Sequence, residues 1–258
     1  MTLSILQLNI NADNYWSRLI PFLKSQDFDI INLQEVAGKD TFSGNINCVR
    51  DCYEELQKTI ADRYSSELAM SQRYTSSPTA YMANATFFKK KFELIKKNVV
   101  TLYERANPFP ENLERYEEAG RNFLHLKLKI KDKTISIVNA HLAWAPTTKE
   151  EPHQTQQGEI LFEYLKKLDD PFVLTGDFNL DPQQPLIQKL NSLARNLVSE
   201  NNIPSTLNER THRAKILFPP GASVDYVFVS KNLRVNKFEV LDKEDLSDHY
   251  ALTTDLEI

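Results

Sequence analysis

Eight polar side chains stand where buried strands begin or end. Asn9 lies in Leu-Asn-Ile, Glu35 in Leu-Gln-Glu-Val, and His141 ends Ile-Val-Asn-Ala-His. Asp177 and Asn179 follow Val-Leu-Thr-Gly, Asp225 opens the Val-Asp-Tyr-Val-Phe-Val run, and the Asp248–His249 pair precedes the last apolar segment. A carboxylate or imidazole at the end of a buried strand is costly unless something pairs with it. So many places of this kind in one chain suggest strand ends that converge on a cation and an anion. Singly, each residue has a plainer account. Asn9 is equally a strand-end hydrogen bonder, Glu35 a loop cap, His141 a satisfied core histidine, and Asp177 turn chemistry after a glycine. Asp225 could pair with a lysine, and Asp248–His249 could cap a helix or strand.

The elements that must position these residues are legible from periodicity. Leu3–Ile10 is apolar on both faces, as in a central strand covered on each side. Trp16, Leu19, Ile20 and Leu23 follow a helical period, with Pro21 an objection to an unbroken helix. Phe28–Leu33 is a second buried strand ending at Gln34–Glu35. Cys48 and Cys52 stand four apart beside Tyr53, Leu56 and Ile60, which predicts one helix from Cys48 to Ile60. Strands are expected at Tyr81–Phe88, Glu93–Tyr103 and Asn122–Ile130, where Leu124, Leu126, Leu128 and Ile130 alternate with polar residues. Lys131–Asp132–Lys133 reads as a hairpin turn into Thr134–His141. A helix is predicted over Gln157–Leu168, then a strand Phe172–Thr175 stopped by Gly176, and a helix Pro185–Leu193. Strands Val224–Val229, Arg234–Leu241 and Ala251–Leu256 complete the chain. Interspersed helices and strands with hairpin signals give one α/β domain over residues 1–258 with a mixed sheet.

Bulk composition narrows the function classes. With 41% apolar and 26% charged residues the chain reads as a globular protein with a core of its own. No run approaches the roughly 18–20 apolar residues of a membrane span, and the start lacks the basic and apolar regions of a signal peptide. Two cysteines are too few for a disulfide framework, so reduced thiols and a cytoplasmic location are expected. A net charge of −4 with scattered basic residues does not suit a track for extended duplex DNA.

In order and local context, Leu-Asn-Ile, Leu-Gln-Glu-Val, Asn-Ala-His-Leu, Thr-Gly-Asp-Phe-Asn, Val-Asp-Tyr-Val and Leu-Ser-Asp-His-Tyr resemble the endonuclease/exonuclease/phosphatase family. That superfamily includes DNase I-like nucleases, exonuclease III-like repair enzymes, sphingomyelinases and inositol polyphosphate 5-phosphatases. The resemblance spans nearly the whole chain. It implies a four-layer sandwich of two packed mixed β-sheets flanked by helices, with a site at one end. It also implies a Mg²⁺-dependent phosphoesterase, Mn²⁺ being a possible substitute. Glu35 would be the principal metal ligand, assisted by Asn9 and Asp248. His249 would contact the phosphate or serve as general base, with Asp225 fixing its tautomer and charge. Asp177 would position or deprotonate the water, and Asn179, His141 and Asn9 would hold phosphate oxygens. Arg121 is either a further phosphate contact or a surface arginine.

Substrate class is less sharply written. Exonuclease III-like enzymes carry Tyr-x-Pro-Asn after the fourth strand, whereas this chain has Ala-His-Leu-Ala-Trp-Ala-Pro at 140–146. The histidine version is more like DNase I, the sphingomyelinases, the deadenylases and the tyrosyl–DNA phosphodiesterase 2 group. Trp144 and the Thr147–Gln157 stretch form an expected substrate-side loop, in which Trp144 either stacks on a base or sugar or packs beneath the loop. The Tyr103–Gly120 stretch is a second expected surface loop. The expected substrate is a phosphodiester cleaved by water activated by a His–Asp pair, a nucleic-acid end (nuclease or DNA-end phosphodiesterase) being preferred to a small phosphodiester. The alternatives are a small or lipid-linked phosphate ester and a catalytically silent binding module.

Overall fold

In the computed structural model, which describes residues 1–43, 46–75, 77–104, 116–212 and 221–258, two six-stranded sheets pack face to face. The first sheet has the order β13 (Arg234–Leu241), β14 (Ala251–Glu257), β1 (Thr2–Asn9), β2 (Ile30–Ala37), β6 (Tyr81–Lys89), β5 (Tyr64–Arg73). The second runs β11 (Ala194–Asn196), β12 (Asp225–Ser230), β10 (Phe172–Asp177), β9 (Lys133–His141), β8 (Arg121–Ile130), β7 (Glu93–Tyr103). Both sheets repeat one pattern of strand senses. The central pair, β1–β2 or β10–β9, is parallel, and every other neighbouring pair is antiparallel. A small ribbon, β3 (Thr41–Ser43) and β4 (Ile46–Cys48), follows β2. Helices α1 (Trp16–Ser25) and α2 (Cys52–Ile60) pack on the first sheet, and α3 (Pro152–Leu165), α4 (Pro185–Leu193) and α5 (Leu197–Glu200) on the second. This is the expected four-layer α/β sandwich. No described helix is long and apolar enough to cross a membrane.

Alternation along each strand explains how one interior serves both packing and chemistry. Successive side chains point to opposite faces. In β1, Leu6 and Leu8 join the core beneath the helices, while Leu3 and Ile5 enter the core shared with the second sheet. The face shared between the sheets then changes character along its length. It runs Leu3, Ile5, Gln7, Asn9 in β1 and Ile30, Asn32, Gln34 in β2. Across from these lie Ile137, Asn139, His141 in β9 and Val173, Thr175, Asp177 in β10. One end is apolar, the middle is amide and hydroxyl, and the far end is ionisable. The amides stitch the sheets together. Gln7 and Gln34 exchange bonds of 2.7 and 2.8 Å, Gln34 Nε2 donates to Asn139 Oδ1 at 2.6 Å, and Asn32 Nδ2 donates to Thr175 Oγ1 at 2.9 Å. All five side chains are fully buried. Each partner lost would leave an unpaired polar group costing about 1–3 kcal/mol.

Several elements differ from the periodic expectation. Helix α1 continues through Pro21. The carbonyl left without a partner belongs to Ser17, which is exposed, while buried Leu19 and Leu23 hold the helix down. Cys48 is not helical. It ends β4, and α2 starts at Cys52 with Asp51 as its cap, accepting from the Glu54 N–H at 2.9 Å. The two free thiols meet across that turn at 3.5 Å. Helix α3 begins at Pro152 rather than Gln157, because Glu151 and Gln154 form a capping box ahead of the apolar repeat. The expected 147–157 loop is therefore helical over its second half. Strand β10 does not stop at Gly176 but passes through it to Asp177. Within the expected Tyr103–Gly120 loop, residues 105–115, including the Asn107–Pro110 stretch, lie outside the described residues.

Candidate active site

Strand register puts three of the predicted residues in one row. His141 pairs with Asp177 across β9–β10, and Asp177 pairs with Asp225 across β10–β12. Neighbouring strands lie about 4.8 Å apart, so three adjacent strands present imidazole, carboxylate and carboxylate side by side at the polar end. The first sheet answers from across the interface. Asn9, the last residue of β1, donates Nδ2–H to Asp177 Oδ2 at 2.9 Å. Glu35 sits where the β2–β6 register shifts between Leu33 and Val36, and its φ is +53°. A positive φ at a non-glycine residue costs about 1–3 kcal/mol and is held in place by its surroundings. The bulge aims the carboxylate at the row, 4.0 Å from His141 Nε2.

Two turns complete the set. After β10 the chain reverses at Asn179, φ +55°, whose N–H donates to Asp177 Oδ1 at 2.9 Å and whose Nδ2 donates to the Leu142 carbonyl at 3.2 Å. His249 sits just before β14 and is bridged to Leu207. Its Nδ1 is 2.8 Å from Asp225 Oδ2, and its Nε2 is 3.9 Å from Asp177 Oδ2. Thr206 shares that oxygen, donating to Oδ2 at 2.8 Å while accepting the Val224 and Asp225 N–H groups. Gln7 Nε2 reaches Asp225 Oδ1 at 3.4 Å and joins the dyad to the amide network.

The two imidazoles are held in opposite states of charge. Burial pushes His141 well below its ordinary range, and the nearby Arg121 and His249 add to the effect, so the ring is neutral. Burial also disfavours charge on His249, but the charge and hydrogen bond of Asp225, with Asp177 and Asp248 behind them, outweigh it and hold the ring cationic. Burial and the Asp225 charge push Asp177 up to about 7. Burial and Asp248 likewise raise Glu35.

A cleft of about 330 Å³ opens over this row, lined among others by Glu35, Arg121, His141, Trp144, Asp177, Asn179, Asp248 and His249. Asn9 and Asp225 lie beneath it, joined through Asp177 and His249. Arg121 is anchored to the cleft wall by bonds from Nε to the Leu142 carbonyl at 3.1 Å and from Nη1 to the Gly120 carbonyl at 3.2 Å. Trp144 is 42% exposed at the rim. Every predicted residue is thus brought to one place. Ligand atoms of Glu35, His141 and Asp177 lie within 4.8 Å of one another, and so do those of His212, Asp248 and His249. His212, Gln72 and Tyr74 also line the cleft without having stood out in the sequence. His212 meets His249 edge-on at 5.8 Å between ring centroids. A lone histidine in Arg-Thr-His carries no strand-end signature, and Thr206 is one hydroxyl among many.

The sequence pattern of the endonuclease/exonuclease/phosphatase family matches residues 6–249, and the chain belongs to that family of phosphate-ester hydrolases. No curated protein sequence matches it significantly. Among solved structures it resembles a family member from Bacteroides vulgatus at TM-score 0.74 and 19% identity, covering 100% of this chain and 99% of the other. The human nocturnin catalytic domain with bound sulfate follows at 0.71 and 18%, covering 99% and 93%. A mannosyl-6-phosphatase from Bacteroides thetaiotaomicron matches at 0.70 and 18%, covering 99% and 100%.

Proposed function

We propose that the protein hydrolyses a phosphate ester with Mg²⁺ as cofactor and Mn²⁺ as a substitute, using water activated at Asp177. The observation that carries this reading is the placement of Asp177 between two imidazoles. Its Oδ2 accepts from Asn9 and lies 3.7 Å from His141 Nε2 and 3.9 Å from His249 Nε2. The residues fit a hard cation. Glu35 offers a hard carboxylate oxygen near that of Asp248, and burial together with the Asp248 charge raises its protonation. Glu35 is the principal ligand, with Asn9 and Asp248 assisting. When bound, the cation supplies Lewis-acid polarisation of a phosphoryl oxygen.

The protein groups do the rest. Asp177 takes a proton from water as the water oxygen bonds to phosphorus. The bond from phosphorus to the ester oxygen breaks, and the departing oxygen takes a proton from solvent. Cationic His249, fixed by Asp225, donates Nε2–H to a phosphoryl oxygen as charge builds there. Neutral His141, Asn179 and Arg121 hold the remaining oxygens, and Trp144 faces the rest of the substrate. Arg121 is the only lysine or arginine among the described lining residues, which favours a compact ester with one phosphate over a long polyanion. A sugar phosphatase among the structural relatives agrees with that size class, and a nucleic-acid end remains the other candidate. The test is hydrolysis of phosphomonoesters, phosphodiesters and oligonucleotides with Mg²⁺, Mn²⁺ or EDTA. Cleavage that needs the metal and vanishes in Asp177→Asn is expected; cleavage indifferent to both would refute the mechanism.

A further inference from the structure

Gln72 lies in the last stretch of β5, in the wall of the cleft and 5% exposed. Its Oε1 accepts the Gly120 N–H at 2.9 Å. That bond decides which end of the amide is which, and the Nε2 end is buried with no hydrogen-bond partner among the described residues. A buried amide N–H left unpaired costs about 1–3 kcal/mol, and folded proteins keep few of them. The position is built rather than incidental. The β5–β6 register shifts between Met70 and Gln72, and the Gly120 backbone comes so close that a Cβ there would stand 2.2 Å from the Ser71 carbonyl oxygen. Gly120 leads directly into Arg121, so the Gln72 amide and the Arg121 guanidinium share one wall by construction.

The rest of the lining shows what that wall is suited to hold. Arg121 and His249 flank the place assigned to one phosphate. Beyond them the described wall offers amides (Asn11, Gln72, Asn179), hydroxyls (Tyr74, Thr147, Thr148), the His212 ring and the exposed face of Trp144, with no further lysine or arginine. Among the described residues, a second phosphate or a nucleic-acid backbone would find no lysine or arginine there. Neutral donors and acceptors around an aromatic plate suit a ring bearing several hydroxyl groups, since a few placed polar groups fix orientation in such pockets. We infer that Gln72 is a specificity-determining residue, its Nε2 donating to a ring hydroxyl oxygen of a sugar phosphate monoester whose phosphate lies over Asp177. This deepens the phosphoesterase reading and rests on it.

The test uses the full chain with Mg²⁺ on a panel of hexose and pentose phosphates, p-nitrophenyl phosphate and a 5′-phosphorylated oligonucleotide. Wild type is expected to prefer a sugar phosphate. Gln72→Glu keeps an acceptor for Gly120 but lacks the amide donor, and Gln72→Met lacks both. Each should lower the ratio of kcat/KM for that sugar phosphate over p-nitrophenyl phosphate by about tenfold or more, mainly through KM. On wild type itself, removing single ring hydroxyls in a deoxy series should cost about tenfold at one position, a readout that holds even if the variants fold poorly. Equal losses on both esters, a flat deoxy series, or preference for the oligonucleotide would overturn the assignment while leaving phosphoester hydrolysis standing. If wild type cleaves no ester on the panel with Mg²⁺ or Mn²⁺, the phosphoesterase reading falls and this one with it.

Discussion

A carboxylate and two imidazoles at the end of a sandwich are ordinary residues, and their placement divides the labour among them. Asp177 is buried beside Asp225 and accepts bonds from Asn9 and from the Asn179 backbone, so it is oriented as well as tuned. Replacing Asp177 with Asn, or His249 with Ala, should lower kcat by about 10²–10⁴-fold, with circular-dichroism melting curves close to wild type as the check on folding. Asp225 holds His249 protonated. A histidine whose folded pKa is raised carries its charge until pH climbs through that value, so activity that needs the cation is lost on the alkaline side. Asp225→Asn removes the cause of the rise and should move the alkaline limb of the kcat/KM profile to lower pH. An unmoved limb would mean that His249 does not act as a cation. Glu35, Asp177, Asp225 and His249 were legible in the sequence because each interrupts or adjoins an apolar run. Gln72 was not, since an amide inside Met-Ser-Gln-Arg differs in no visible way from a solvated one until its partner Gly120 is placed.

At the scale of elements, Gly176 is the tightest point. A Cβ there would lie 2.0 Å from the Ala140 carbonyl oxygen on the neighbouring strand, so β9 and β10 could not keep the register that aligns His141 with Asp177. Gly176→Ala should cost about 1–3 kcal/mol in urea denaturation and reduce activity beyond what that loss of stability explains. Far from the site, His125 on β8 bonds through Nδ1 to Tyr164 Oη at 2.7 Å and through Nε2 to Ser136 Oγ at 2.9 Å. Burial, with help from Lys96, pushes it from 6.5 down to about 4. The unfolded chain takes up the proton first, so this contribution is full above pH 6.5 and drains away as pH falls toward 4. The urea midpoint of wild type should drop across that window more steeply than that of His125→Gln. Strand β8, with its alternating leucines, was readable almost to the residue. Strand β5 was not, because half-buried Ser65, Ser66, Glu67 and Ser71 blur its pattern. Helix α2 was misjudged because Cys48 shares an apolar spacing with a helix that starts only after the Asp51 cap.

At the scale of the molecule, the sheets are joined by amides as well as by hydrocarbon, and the network touches the site through Gln7 and Asp225. Gln34→Leu would strand both Gln7 and Asn139, and it should lower stability by about 2–6 kcal/mol in chemical denaturation, counted as two unsatisfied groups. Charge at this scale also has a readout. A cleft with one arginine among its described lining residues should show KM changing by less than about threefold between 50 and 200 mM salt, where a binder of many phosphates would lose orders of magnitude. The matched pattern of strand senses carries a further consequence. Asn9, Glu35 and the Asp248–His249 pair come from the half built on β1, β2 and β14, and His141, Asp177 and Asp225 from the half built on β9, β10 and β12. Neither half owns a working set. The enzyme is organised like an obligate heterodimer whose two subunits were written into a single polypeptide, so a slip between the halves would silence it while each sheet stayed whole.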